Sequence, residues 1–197
     1  MAQYNGYRIV PHNSYDQFRN ATLGNGYNVD GYAGNQCWDY CALLWWQYGL
    51  YLKTKAGGGG AADCWLVSKN QNAVWPFKAV EGVRNIKRGD VIVTNRSPYS
   101  TTGHICIADE DFRTSGNTMR LRTVGQAPAN HGINGVVSVD DISIAYFLGI
   151  FRNTTWGDSP EPQPEPEMGY NKDRYNFVLF NRRKRQEKWI KKPLKQR

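Results

Sequence analysis

Two residues in this chain have the types and settings for nucleophilic acyl transfer, Cys37 and His104. Cys37 heads an apolar and aromatic run over residues 40–50, long enough for a buried helix of about three turns. That places the thiol in the first helical turn. There the unpaired N–H groups and the positive end of the helix dipole favour a thiolate over a thiol of ordinary pKa, about 8.5. His104 opens GHICIAD, a segment that alternates toward a buried strand, and Gly103 before it leaves room beside the ring. A cysteine at a helix start with a suitable histidine far downstream points to a thioester mechanism. The Cys37 N–H and the Gln36 side chain are the candidate donors to the oxyanion.

The elements that must hold these groups can be read outward from Cys37. Residues 28–32 form a polar loop with side-chain oxygens at alternate positions, Asn28, Asp30 and Tyr32, and Asp39 follows in the first helical turn. Two readings of that pattern stand. Oxygen ligands so spaced suit a calcium ion, and an Asx-rich turn leading into a helix, with Asp39 as a dipole-favoured first-turn acid, accounts for the same residues. A zinc site at Cys37, Cys41 and His104 lacks the paired ligand spacing such sites use. Cys37 and Cys41 lie one helical turn apart, awkward for a disulfide, while Cys64 and Cys106 fall in apolar surroundings expected of buried thiols.

Before the loop, residues 15–23 suit a short helix capped by Ser14. After the glycine run 57–60, a second helical segment begins at Ala61. Arg88-Gly89-Asp90 reads as a tight turn into a β-branched strand rather than as a recognition tripeptide. Strands are expected at 103–109, 118–125 and 143–153. Helices first and strands later give an α+β fold, an N-terminal helical layer packed on an antiparallel β-sheet.

Five segments carry a resemblance to a known family: DGYAGNQCWDYC around Cys37, GGGGAADCW at 57–65, NIKRGDVIV at 85–93, GHICIAD at 103–109 and FLGIF at 147–151. In order and spacing they resemble the CHAP domains, the cysteine- and histidine-dependent amidohydrolases/peptidases of bacteriophage lysins and cell-wall hydrolases. The likeness covers roughly residues 15–152. It implies a papain-like fold of the NlpC/P60 type and cleavage of an amide bond in peptidoglycan, with Cys37 as nucleophile and His104 as acid and base. Some CHAP lysins bind calcium at the loop matching Asn28, Asp30, Tyr32 and Asp39; Asn28 here replaces a carboxylate, so such a site would carry less charge. The family places a third group, an acid or an amide, at the end of the strand after the histidine. Here that place reads VGQAP, which makes Gln126 the candidate to orient His104, with Asn130 next and Asp109 or Asp111 if the hairpin folds differently. His12 and His131 read as surface histidines. Trp65 and Trp75 are candidate aromatics for the cleft. Two bond types remain open, the N-acetylmuramoyl-L-alanine amide and the peptide bonds of stems or cross-bridges.

The formal net charge of +8 belongs to one end: from Gly169 onward eleven Lys/Arg stand against two acids. The expected organisation is a catalytic domain over 1–153, a Pro/Glu-rich spacer over 154–168 and a basic tail over 169–197. The tail suits an anionic wall polymer such as teichoic acid or a phage tail or virion protein, and nucleic acid less well; a solvated, disordered tail is the bland alternative. No run is long enough for a membrane span, and the first residues lack the basic start and apolar centre of a secretory signal. A phage protein carried on the virion, or released from the host cytoplasm to the wall, fits that expectation. The rival is a virion structural protein that kept the fold without the chemistry.

Overall fold

The computed structural model describes residues 3–4, 7–8, 11–50, 59–69, 76–97, 100–113, 119–126 and 135–157. The chain divides into two units, Met1–Glu161 and Pro162–Arg197. The second unit, which includes the whole basic tail, lies outside the described residues, as do residues 158–161. The first unit is α+β. In chain order it runs β1 (Gln3–Tyr4), β2 (Tyr7–Arg8), α1 (Tyr15–Thr22), α2 (Cys37–Trp46), α3 (Ala61–Ser68), β3 (Phe77–Val80), a 3-10 turn (Val83–Asn85), β4 (Val91–Thr94), β5 (His104–Ala108), β6 (Arg120–Gly125), β7 (Ser138–Ser143) and β8 (Phe147–Asn153). β1 and β2 pair with each other; the other six strands form one antiparallel sheet in the order β3-β8-β4-β5-β6-β7.

Helix α2 is the centre of the packing. Its sequence, CWDYCALLWW, is apolar on nearly every side, as a helix surrounded by protein must be, and residues 39 to 46 are all buried. It lies against β5, while α3 packs on β4, β5 and β8. Val91, Val93, Ile105, Ile107 and Phe151 meet the helices on one sheet face; Ile92, Cys106, Ala108, Leu121 and Ile150 form a second cluster. This is the alternation that a strand's two-residue period dictates.

Helix α1 begins as read from sequence, with the Ser14 Oγ accepting from the Gln17 N–H at 3.3 Å. Tyr15, Phe18 and Thr22 form its buried stripe. The helix is fixed to the far end of β5, where Asp109 accepts from Tyr15 Oη at 3.0 Å and from both Arg19 Nε at 2.8 Å and Arg19 Nη2 at 3.0 Å. Asp90 is likewise buried, accepting from Arg152 Nε at 2.9 Å and Nη2 at 2.7 Å. Arg88-Gly89-Asp90 is therefore an internal turn, with Gly89 at φ 89° where a side chain would be strained.

The packed unit also reaches past the boundary expected at residue 153. Trp156 is 8 % exposed, donates to the His12 carbonyl at 3.1 Å and lies against Tyr15 and Phe18.

Candidate functional site

Cys37 is the first residue of α2, and Gln36 is its extended N-cap. Three residues into the helix, Asp39 closes the cap. Its Oδ2 accepts from the Gln36 N–H at 2.8 Å, and its Oδ1 accepts from the Val29 N–H at 2.7 Å and the Asp30 N–H at 3.2 Å. One fully buried carboxylate thus folds the 28–36 loop back onto the helix start. Burial holds this carboxyl up at about 6, with the three N–H donors opposing that rise. Asp30 Oδ1 accepts in turn from the Tyr32 N–H at 2.8 Å, and Tyr32 is exposed.

Two of the four oxygen-bearing residues have main-chain partners in the loop. Asp39 is turned to main-chain donors, and Asp30 closes an Asx-type turn. No group of three or more His, Cys, Asp or Glu fit to hold a metal gathers among the described residues.

Main-chain N–H groups near the Cys37 sulfur, those of Ile105, Trp38 and Cys37 itself, favour the thiolate. Burial outweighs them and pushes the thiol above its ordinary value. Ile105 is the residue after His104, so the start of α2 meets β5 one residue beyond the expected base. Cys37 is half-buried, whereas Cys41, Cys64 and Cys106 are buried free thiols whose ionisation burial opposes, Cys106 being pushed up to about 12. Access therefore singles out Cys37.

His104 begins β5. Its main chain is fixed to β4 by Thr94, whose Oγ1 accepts from the His104 N–H at 3.1 Å and donates to its carbonyl at 3.4 Å. The ring is buried, and desolvation lowers its pKa from 6.5 to about 4, with the field of Asp140 pulling the other way. Gly103 does not open space beside this ring. A Cβ there would lie 2.5 Å from the Thr94 oxygen and 2.8 Å from the Ala62 Cβ, so the glycine lets the start of α3 close on the turn before β5.

The remaining expected residues are placed as follows. Gln36 donates its side-chain N–H to the Tyr32 carbonyl at 2.7 Å, beside the Cys37 sulfur's helix end. Gln126 is fully buried and bonded to main chain: its Oε1 accepts from the Tyr27 N–H at 2.8 Å, and its Nε2 donates to the Tyr27 carbonyl at 2.6 Å and the Gln36 carbonyl at 2.9 Å. It clamps the loop before Cys37 to the end of β6. Alternation explains the difference from a ring-orienting role: at Gly125, not Gln126, an added Cβ would stand 3.8 Å from His104 Nε2. Asp109 belongs to the α1 anchor, and Asp111 accepts from the Arg88 N–H at 2.8 Å. Trp65 is core, its ring lying over Gly149 and against Phe151. Trp75, Asn130 and His131 lie outside the described residues.

No family model matches the chain. A D-alanyl-L-alanine endopeptidase of Streptococcus phage B30 is 31 % identical over 106 residues, 50 % of this chain and 22 % of that protein. The chain thus spans about a fifth of that relative's length. Among solved structures, the wild-type endolysin LysIME-EF1 superposes with a TM-score of 0.53 at 24 % identity, over 69 % of this chain and 61 % of that one. The sequence relative comes from a phage; the fold is that of an endolysin. Among the described residues no helix is long and apolar enough to cross a membrane.

Proposed function

We propose that this chain is a phage peptidoglycan hydrolase of the CHAP type, with a papain-like site that cuts an amide bond of the bacterial wall through Cys37. The observation that carries this reading is the seating of the half-buried Cys37 at the start of α2, beside the main chain of Ile105, the residue after His104. The likeness to a phage endopeptidase supports the substrate class.

Burial favours the neutral form of both groups, the Cys37 thiol and the His104 imidazole. The reaction therefore begins with proton transfer. His104 takes the thiol proton as the sulfur attacks the scissile carbonyl, and the N–H groups at the helix start receive the oxyanion. Gln36 stands at the same end and is the side-chain donor to this oxygen. Collapse of the intermediate breaks the C–N bond, and the imidazolium gives its proton to the departing amine, leaving a thioester on Cys37. His104 then removes a proton from water, which attacks the thioester and returns the thiol. The basic tail supplies wall or virion contact, and the protein meets its substrate from a virion or by release from the host cytoplasm.

The test is incubation of the protein and its Cys37→Ala variant with peptidoglycan from several bacteria, followed by mass spectrometry of the products. Cleavage that vanishes with Cys37 supports the reading and identifies the bond. Cleavage that persists in Cys37→Ala removes the proposed site, and an inert wild-type protein favours the non-catalytic virion role.

A further inference from the structure

We infer that Asp140 is the acid that serves His104, facing it across the gap that Gly125 leaves in β6. This rests on the hydrolase reading above, since a positioning acid matters only where His104 moves a proton.

The register places the groups. Ala108 pairs with Thr123 and Ile107 with Val124, while Thr123 pairs with Asp140 and Gly125 with Ser138. Side chains alternate between faces along each strand, so His104, Cys106, Gly125, Ser138 and Asp140 share one face of three neighbouring strands. Along that face the two groups lean toward each other. A Cβ on Gly125 would stand 3.8 Å from His104 Nε2, so the imidazole extends from its own row toward the Gly125 row. Asp140 Oδ2 accepts from Ser138 Oγ at 3.1 Å, so the carboxylate extends from the opposite direction toward the residue paired with Gly125. They converge over a position that carries no side chain.

The other charged groups on elements packed around His104 have other partners. From α2, Cys37 is the reacting thiol and Asp39 is taken by three main-chain N–H groups. From α3, Asp63 accepts from the Gly60 N–H and pairs with Arg96. On β5 itself Cys106 is a buried thiol, and on β6 Arg122 turns to Asp109. Asp140 is also the group whose field raises the His104 pKa against burial. A buried imidazole that must become imidazolium needs a negative charge fixed nearby. Asp140 fills that role as a positioning residue, one strand beyond where an acid is expected.

The experiment compares wild type, Asp140→Asn, Asp141→Asn and Gly125→Asp/Asp140→Asn. Asp141 alternates to the other face and serves as the control. Histidine ring shifts are followed by NMR from about pH 7 down to 4.5, with His104 assigned through His104→Gln, alongside wall cleavage against pH. In Asp140→Asn the onset of His104 protonation moves down by about half a unit or more, and kcat falls severalfold with KM unchanged. Asp141→Asn changes neither. Gly125→Asp returns a carboxylate to the gap and recovers part of the lost kcat, which a purely structural role of Asp140 would not allow. A His104 titration identical in wild type and folded Asp140→Asn overturns the assignment even if the wall is cut. A titration that responds in a protein that cuts no wall upholds the pairing and removes the hydrolase reading instead.

Discussion

Gln126 separates two roles that sequence alone leaves merged, and Gln126→Ala tests which one it has. As a group orienting His104, its loss would lower kcat and alter the pH profile while leaving the fold intact. As a clamp, its loss removes three hydrogen bonds at once, those to the Tyr27 N–H, the Tyr27 carbonyl and the Gln36 carbonyl. Each buried group left without a partner costs about 1–3 kcal/mol. Because water can enter the vacated space and satisfy part of the set, a total of ~3 kcal/mol is expected. For a domain of this size that lowers Tm by roughly 6–12 °C. The loop holding Asp39's donors loosens with it, so Cys37 reacts faster with iodoacetamide in the variant. Urea and thermal melts, with thiol alkylation followed by mass spectrometry, read both effects. A Gln126→Ala protein that melts with the wild type, but cleaves slowly with an altered pH profile, refutes the clamp and restores the orienting role.

The pKa of His104 predicts acid sensitivity. Its folded value of about 4 lies below 6.5, so between these values the unfolded chain binds the proton and the folded one does not. The neutral ring's contribution, roughly 3 kcal/mol, is complete above pH 6.5, falls as pH drops and is gone below pH 4. Asp39 runs the other way in the same range, its raised carboxyl favouring the folded state as pH falls. The measurement is therefore the difference in urea stability between wild type and His104→Gln, which shrinks from pH 7 to 4; a constant difference contradicts the assignment. A chain ending at Gly157 keeps the full-length Tm of the first unit, whereas one ending at Asn153 loses the buried Trp156 and melts several degrees lower. Added calcium and added chelator leave the Tm unchanged if the loop is held as described; a calcium-dependent rise of several degrees shows instead that Asp30 and Asp39 exchange their N–H partners for the ion.

Much of the scaffold was legible because its signals are local. The Ser14 cap, the apolar run that becomes α2, the thiol in its first turn and the His104 strand all follow from neighbours within a few residues. β3 and β7, like the short β1–β2 pair, carry no local strand signal. Phe77–Val80 is short, and Ser138–Ser143, SVDDIS, exposes a polar face with two consecutive acids that reads as loop. Trp156 follows Thr154 and Thr155, which look like linker, and only the tertiary fold returns the indole to Tyr15 and Phe18.

The roles around the site depended on register, which is the least local property of a sheet. Shifting attention by one residue changes the face, and that single step separates Gln126, bonded to main chain, from Gly125, beside the imidazole. A search for the acid along β6 alone ends at a glycine. The same register makes the missing side chain informative, because a gap at one strand lets the next one reach across it. On the proposed function, that register lets Asp140 serve His104 from one strand further out than the end of β6, where the family's third group is expected.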